Sequence, residues 1–178
     1  LVLERKIPLG EVKGRIDHLA VDLEHRRLFV AELGNDTVSV VDIDGRKVAR
    51  RLEGFDEPQG VGYFPQSDTL YVANGGDGAL RAFRGAQLQA VGNLALGDDA
   101  DNIRIDRERG RVYVGAASGN LTIIDAAAFK KVGAVELQGH PESFQLASGG
   151  SRIYVNVPDA REVAVVDRDT NRQVASWP

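Results

Sequence analysis

An internal repeat constrains this chain more than any other feature. Leu28-Phe29-Val30-Ala31 returns as Leu70-Tyr71-Val72-Ala73, then Val112-Tyr113-Val114-Gly115, then Ile153-Tyr154-Val155-Asn156. The aromatic stands at 29, 71, 113 and 154, so the intervals are 42, 42 and 41. Each copy holds short runs of strand-forming residues separated by Gly, Asn and Asp, which tolerate the positive φ of tight turns. A period near forty residues with four such runs per unit is the signature of a β-propeller.

Four strands can be assigned in each unit. The first unit has His18 to Val21, Leu28 to Glu32, Thr37 to Asp42 and Lys47 to Leu52. The second has Val61 to Phe64, Thr69 to Ala73, Ala79 to Phe83 and Leu88 to Leu94. The third has Asn102 to Ile105, Arg111 to Gly115, Leu121 to Asp125 and Lys131 to Leu137. The fourth has Ser143 to Leu146, Arg152 to Val155, Glu162 to Asp167 and Arg172 to Trp177. Leu1 to Leu9 reads as a further strand, whose charged middle and Pro8 suit a sheet edge. The expected fold is all-β: a propeller of four blades of four antiparallel strands plus one extra N-terminal strand. The divisions are 1–13 for that outer strand, then 14–56, 57–99, 100–140 and 141–178 for the blades.

Asp42, Asp125 and Asp167 recur at the end of the third strand, where Arg84 takes the second unit's place; Asp22 and Asp106 share another position. Aspartates there are expected to accept bonds from turn N–H groups. The tyrosines and Phe29 are expected in the core. His25 falls in a polar turn and reads as a solvated surface residue.

The text Phe29-Val30-Ala31-Glu32, Asn35-Asp36-Thr37-Val38-Ser39-Val40-Val41-Asp42 and Lys47-Val48-Ala49 resembles the YVTN family (YncE-like) of β-propellers, and the later units match it less closely. The likeness covers essentially the whole chain and is specific for fold. It implies little about activity, because such propellers serve as binding scaffolds, lactone-cleaving enzymes, lyases and cofactor-enzyme subunits. It also implies a periplasmic or secreted protein.

In many propellers the first strand completes the last blade. Here the fourth unit holds its own outer strand, so Leu1 to Leu9 is left over. Two arrangements accommodate it: part of a six- to eight-bladed ring, or half of an eight-bladed dimer. Either way an open arc exposes apolar flanks, and self-association is expected. The chain lacks methionine, so Leu1 is not a translation start; signal removal and a boundary within a longer chain both account for it.

Composition narrows the chemistry. There is no cysteine, which excludes disulfides and thiolate metal sites. No run of eighteen apolar residues is present. The formal net charge of -4 argues against bulk affinity for nucleic acid. A G-x-S-x-G elbow, a P-loop, a dinucleotide fingerprint and H-E-x-x-H are all missing.

Functional groups concentrate in the loops that enter the first strand of each blade, at one end of the central channel. The register aligns Asp17, Gln59, Asp101 and Glu142, and two residues earlier Arg15, Glu57, Asp99 and His140. With His18, Asn102 and Arg104, these give the ligand-binding candidates Asp17, His18, Gln59, Asp101, Asn102, Arg104, His140 and Glu142. Carboxylates and imidazoles can hold a divalent cation or act as an acid–base pair. Crowded negative charge raises carboxylate pKa values unless a cation or Arg15 offsets it. Arg104 is expected to pair with a carboxylate, or otherwise to face the axis and bind an anion. The expected function is a scaffold that binds a small ligand, metal or protein at the channel mouth without catalysis. The alternative is a metal-assisted hydrolase or lyase acting there; single-stranded nucleic-acid binding is disfavoured by the acidic balance.

Overall fold

A computed structural model describes residues 2–178. Their sixteen strands form four sheets, one per repeat. Blade 1 is β1 (Ile16–Asp22), β2 (Arg27–Glu32), β3 (Thr37–Asp42) and β4 (Lys47–Leu52). Blade 2 is β5 (Pro58–Phe64), β6 (Thr69–Asn74), β7 (Ala79–Arg84) and β8 (Gln89–Ala95). Blade 3 is β9 (Ala100–Asp106), β10 (Arg111–Ala116), β11 (Asn120–Asp125) and β12 (Lys130–Glu136). Blade 4 is β13 (Ser143–Leu146), β14 (Arg152–Val157), β15 (Glu162–Asp167) and β16 (Arg172–Trp177). Each strand pairs antiparallel with its sequence neighbour, so every sheet is a four-stranded meander. Among the described residues no helix is long and apolar enough to cross a membrane.

The repeat aromatics pin the blades together. Phe29 is buried with Val61, Tyr63 and Leu70 of blade 2. Tyr71 is buried with Ile103 and Val112 of blade 3, and Tyr113 with Phe144, Ile153 and Val155 of blade 4. Each such ring contributes about 2–3 kcal/mol by leaving water. Tyr154 holds the same register position, but among the described residues no further blade packs on it, and it is half-buried against Trp177 with ring centroids 5.3 Å apart. Trp177 is 50% exposed, where the matching Leu52 and Val135 are each 4%. Tyr63 is a core residue of the innermost strand β5, not of the second strand that carries the other tyrosines.

The recurring aspartates do close turns. Asp42 accepts from the Gly45 amide at 2.8 Å, and Asp125 from the Ala128 amide at 2.9 Å. Asp167 accepts from the Thr170 amide at 2.9 Å, Asp22 from His25 at 3.1 Å, and Asp106 from Arg109 at 3.0 Å.

The N-terminal segment does not form the extra strand that its composition implies. Leu1 lies outside the described residues, and residues 2–13 form no strand. A strand needs a free sheet edge, and this segment is instead held to a face of blade 1. Arg51 donates to the Leu9 carbonyl, and Asn35 accepts from the Lys13 amide at 2.5 Å and donates to the Glu11 carbonyl at 3.1 Å. On that face Glu32 is fully buried, accepting from Thr37 and Ser39 at 2.7 Å each and pairing with Arg51 at 3.2 Å.

Candidate functional site at the channel mouth

Bulges place the polar residues. In blade 1, Ile16 pairs with Glu32 and Leu19 with Val30, so three steps on β1 oppose two on β2. Asp17 and His18 together oppose the single residue Ala31. Pro58 pairs with Asn74 and Val61 with Val72, which puts Gln59 and Gly60 in the same irregularity. Ala100 pairs with Ala116 and Ile103 with Val114, which does so for Asp101 and Asn102. A bulge bends the strand and re-aims its side chains. These residues therefore belong to the first turns of inner strands rather than to loops. Blade 4 shows no such shift, and His140 and Glu142 precede β13.

Glycine sets the spacing between inner strands. A Cβ on Gly60 would lie 1.8 Å from the Asp101 carbonyl oxygen, so only glycine admits this approach of β5 to β9. Gly75 leaves the room that Gln59 fills: a Cβ there would sit 2.0 Å from Gln59 Nε2. The sequence signal for both was glycine inside a strand pattern or beside it, which marks close backbone approach.

Asp17, His18 and Asp101 converge from blades 1 and 3, one ligand atom of each lying within 4.8 Å of the other two. His18 Nδ1 is 3.1 Å from Asp17 Oδ1 and 3.8 Å from Asp101 Oδ1. Neither approach has hydrogen-bond geometry, and His18 Nδ1 and Asp101 Oδ1 are buried atoms without a hydrogen-bond partner. His140 Nδ1 is a third. The other carboxylate oxygens are held. Arg15 donates to Asp17 Oδ2 at 3.0 and 3.2 Å, and Asn102 donates to Asp101 Oδ2 at 3.1 Å. Burial pushes the Asp101 carboxyl above its usual range; His18 opposes this, the charges of Asp17 and Asp99 add to it, and His140 opposes it again.

The remaining candidates surround this trio. Gln59 donates to Asp99 at 2.7 Å and accepts from Arg15 at 3.5 Å. Asn102 also donates to the Glu142 carbonyl at 2.6 Å, while the Glu142 residue is exposed. Arg104 differs from expectation. Among the described residues it forms no ion pair; its guanidinium lies 5.5 Å from the Phe144 ring centroid and donates to the Ile103 carbonyl at 2.8 Å. Burial lowers its pKa, and Asp101 partly offsets that. It lines an open groove of about 330 Å³ with Phe144 and Tyr154. A cavity of about 470 Å³ lies away from the mouth. Its arginines are already paired: Arg109 with Asp169, Arg111 with Asp125 and Arg168 with Asp106. Arg168 Nε is also without a partner, but a guanidinium is not a metal or proton-accepting ligand, whereas the unpartnered atoms at the mouth belong to imidazoles and a carboxylate.

A second aspartate–histidine cluster sits at the far end of β1. Asp22 is fully buried and accepts from the His25 amide, the His25 ring at 2.9 Å and Arg27 Nε at 2.8 Å. Arg27 also reaches Asp68 at 2.9 Å, and Tyr63 donates to Asp68 at 2.8 Å. Burial alone would raise the Asp22 pKa, but the His25 amide, Arg27 and the His25 ring together hold it below the usual range. His25 thus lies at the surface as expected, but tied to a buried carboxylate.

No protein-family model and no curated protein matches the chain. Among solved structures it is similar to the hydrazine synthase of Kuenenia stuttgartiensis, with a TM-score of 0.83 at 18% identity over 94% of this chain. The match covers 52% of that chain, so the present chain spans about half its length. At this identity the likeness shows the β-propeller fold alone and does not extend to the YVTN-type family that the repeat text resembles.

Proposed function

We propose that this protein is a β-propeller scaffold that binds a small ligand at the channel mouth and carries out no catalysis of its own. One observation carries the reading: buried polar atoms on His18 of blade 1, on Asp101 of blade 3 and on His140 in the segment leading to β13 have no hydrogen-bond partner. A protein leaves such atoms unpaired at a cost of about 1–3 kcal/mol each, and a ligand that supplies the missing bonds recovers it. Amide chemical-shift mapping with small carboxylates, amines and sugars tests this. Perturbations are expected to cluster at residues 15–18, 57–60, 99–102 and 140–143. Perturbations confined to other surfaces, or turnover of a probe, would overturn it.

The same reading includes association. The flank of blade 4 repeats the surface that buries each earlier blade against its successor, yet it leaves Tyr154 and Trp177 in contact with solvent. A further blade, from a second copy or from more of a longer chain, fits there. Native mass spectrometry is expected to show dimers that Trp177→Asp removes; a strictly monomeric wild type would exclude the second copy.

A further inference from the structure

Three clusters of side chains could hold something at this stage. The arginines around the 470 Å³ cavity are paired with aspartates, and the Asp22–His25–Asp68 group is bridged by Arg27. Neither has coordinating atoms to spare. The trio at the mouth does.

We propose that Asp17, His18 and Asp101 form a binding site for a divalent first-row transition cation such as zinc, an inference that rests on the scaffold reading above. The division of labour within each carboxylate supports it. Asp17 gives one oxygen to Arg15 and turns Oδ1 toward His18 Nδ1; Asp101 gives one oxygen to Asn102 and turns Oδ1 toward the same nitrogen. Ligating carboxylates are commonly oriented in this way by a donor on the far oxygen. The two inner carboxylate oxygens lie 3.1 and 3.8 Å from the imidazole nitrogen and make no hydrogen bond to it, so three potential ligand atoms face one another. Ligand atoms around a tetrahedral zinc with bonds of about 2.0 Å stand about 3.3 Å apart, so little movement is needed. One imidazole nitrogen and two carboxylate oxygens suit zinc or manganese, and two negative charges match the charge of the ion. The bulges on β1 and β9 bring these ligands together from blades 1 and 3, so the site also fastens the arc across blade 2.

Zinc binding by the untagged, chelator-stripped chain at pH 7 tests the proposal, by calorimetry and by metal analysis after dialysis. One zinc per chain is expected, with affinity at least tenfold lower in Asp101→Asn and in His18→Gln. His25→Gln, at the other cluster, should bind as wild type does. A protonated His18 bridging two carboxylates is the competing explanation, and it predicts no zinc uptake. Loss of binding in a misfolded variant is separated from loss of a ligand by circular dichroism, and by requiring both variants to agree. Absence of zinc from wild type, or equal binding by both variants, would overturn the proposal. If zinc fails while organic probes still perturb the mouth amides, the cation inference alone falls. If neither binds, the scaffold reading falls with it.

Discussion

Strand β1 carries an aspartate–histidine group at each end, roughly 17 Å apart for five residue steps. At the far end Asp22 receives an arginine, an imidazole and a backbone amide, and its partner Asp68 receives an arginine and a tyrosine hydroxyl. At the mouth Asp17, His18 and Asp101 face one another with atoms left unpaired. The residue types are the same and the outcomes opposite. The difference lies in the cation: Arg27 is placed between Asp22 and Asp68, whereas Arg15 lies outside the mouth trio on the far oxygen of Asp17. A saturated cluster strengthens a fold. An unsaturated one costs stability and is available to a ligand.

Breaking the saturated cluster should have the largest effect. Asp22→Asn removes the charge opposite Arg27 and is expected to cost about 3 kcal/mol at neutral pH, read as a lower urea midpoint. The sign with pH is set by the depressed folded-state pKa of Asp22. Its contribution is full above the unfolded value, about 4, and is lost as pH falls through the lower folded value. The gap between wild type and Asp22→Asn should therefore stay constant from pH 7 down to about 4 and narrow only below it; a gap that does not narrow below about pH 4 would mean that the charge is not what matters. The buried pair of Arg168 with Asp106, which joins blade 4 to blade 3 at 2.8 Å, offers a parallel case. Arg168→Leu leaves Asp106 with the Arg109 amide and the more distant Arg109 guanidinium at 3.6 Å, and is expected to cost about 2 kcal/mol in the same assay.

Gly60→Ala sharpens the comparison from the side of the mouth. The new Cβ meets the Asp101 carbonyl and forces β5 from β9, at an expected cost of about 2 kcal/mol. It should also disturb the amides of Asp17 and Asp101 while leaving those of His25 and Asp68 unchanged in a two-dimensional amide spectrum. Trp177→Ser should do least to the isolated chain, below about 1 kcal/mol, because half of the indole is already in water.

The strands were legible because side-chain alternation and the 42-residue period report the same geometry twice. Predicted and observed limits agree for β3, β4, β13, β15 and β16. The inner strands of blades 1 to 3 begin earlier than the pattern implied, because bulges at Asp17, Gln59 and Asp101 interrupt the alternation that marks a strand. Those bulges carry the candidate residues Asp17, His18, Gln59, Asp101 and Asn102, so a local departure from periodicity was a signal that pattern reading passed over. The segment before Gly10 read as a strand on its own composition, but pairing depends on an available edge, which composition does not contain. Arg104 found Phe144 instead of a carboxylate for a similar reason: register alone does not say that nearby acids are already engaged by Asn102 and Gln59.

Side-by-side urea unfolding of wild type, Asp22→Asn and Asp101→Asn, at pH 7 with chelator present, tests the contrast most directly. Asp101→Asn removes a charge that burial and its acidic neighbours disfavour, and screening at the mouth limits the gain to about 1 kcal/mol or less. The contrast predicts a higher midpoint than wild type for Asp101→Asn and a lower one for Asp22→Asn. Two lowered midpoints of similar size would mean that the mouth trio is another satisfied structural cluster, and would contradict its assignment as a binding site.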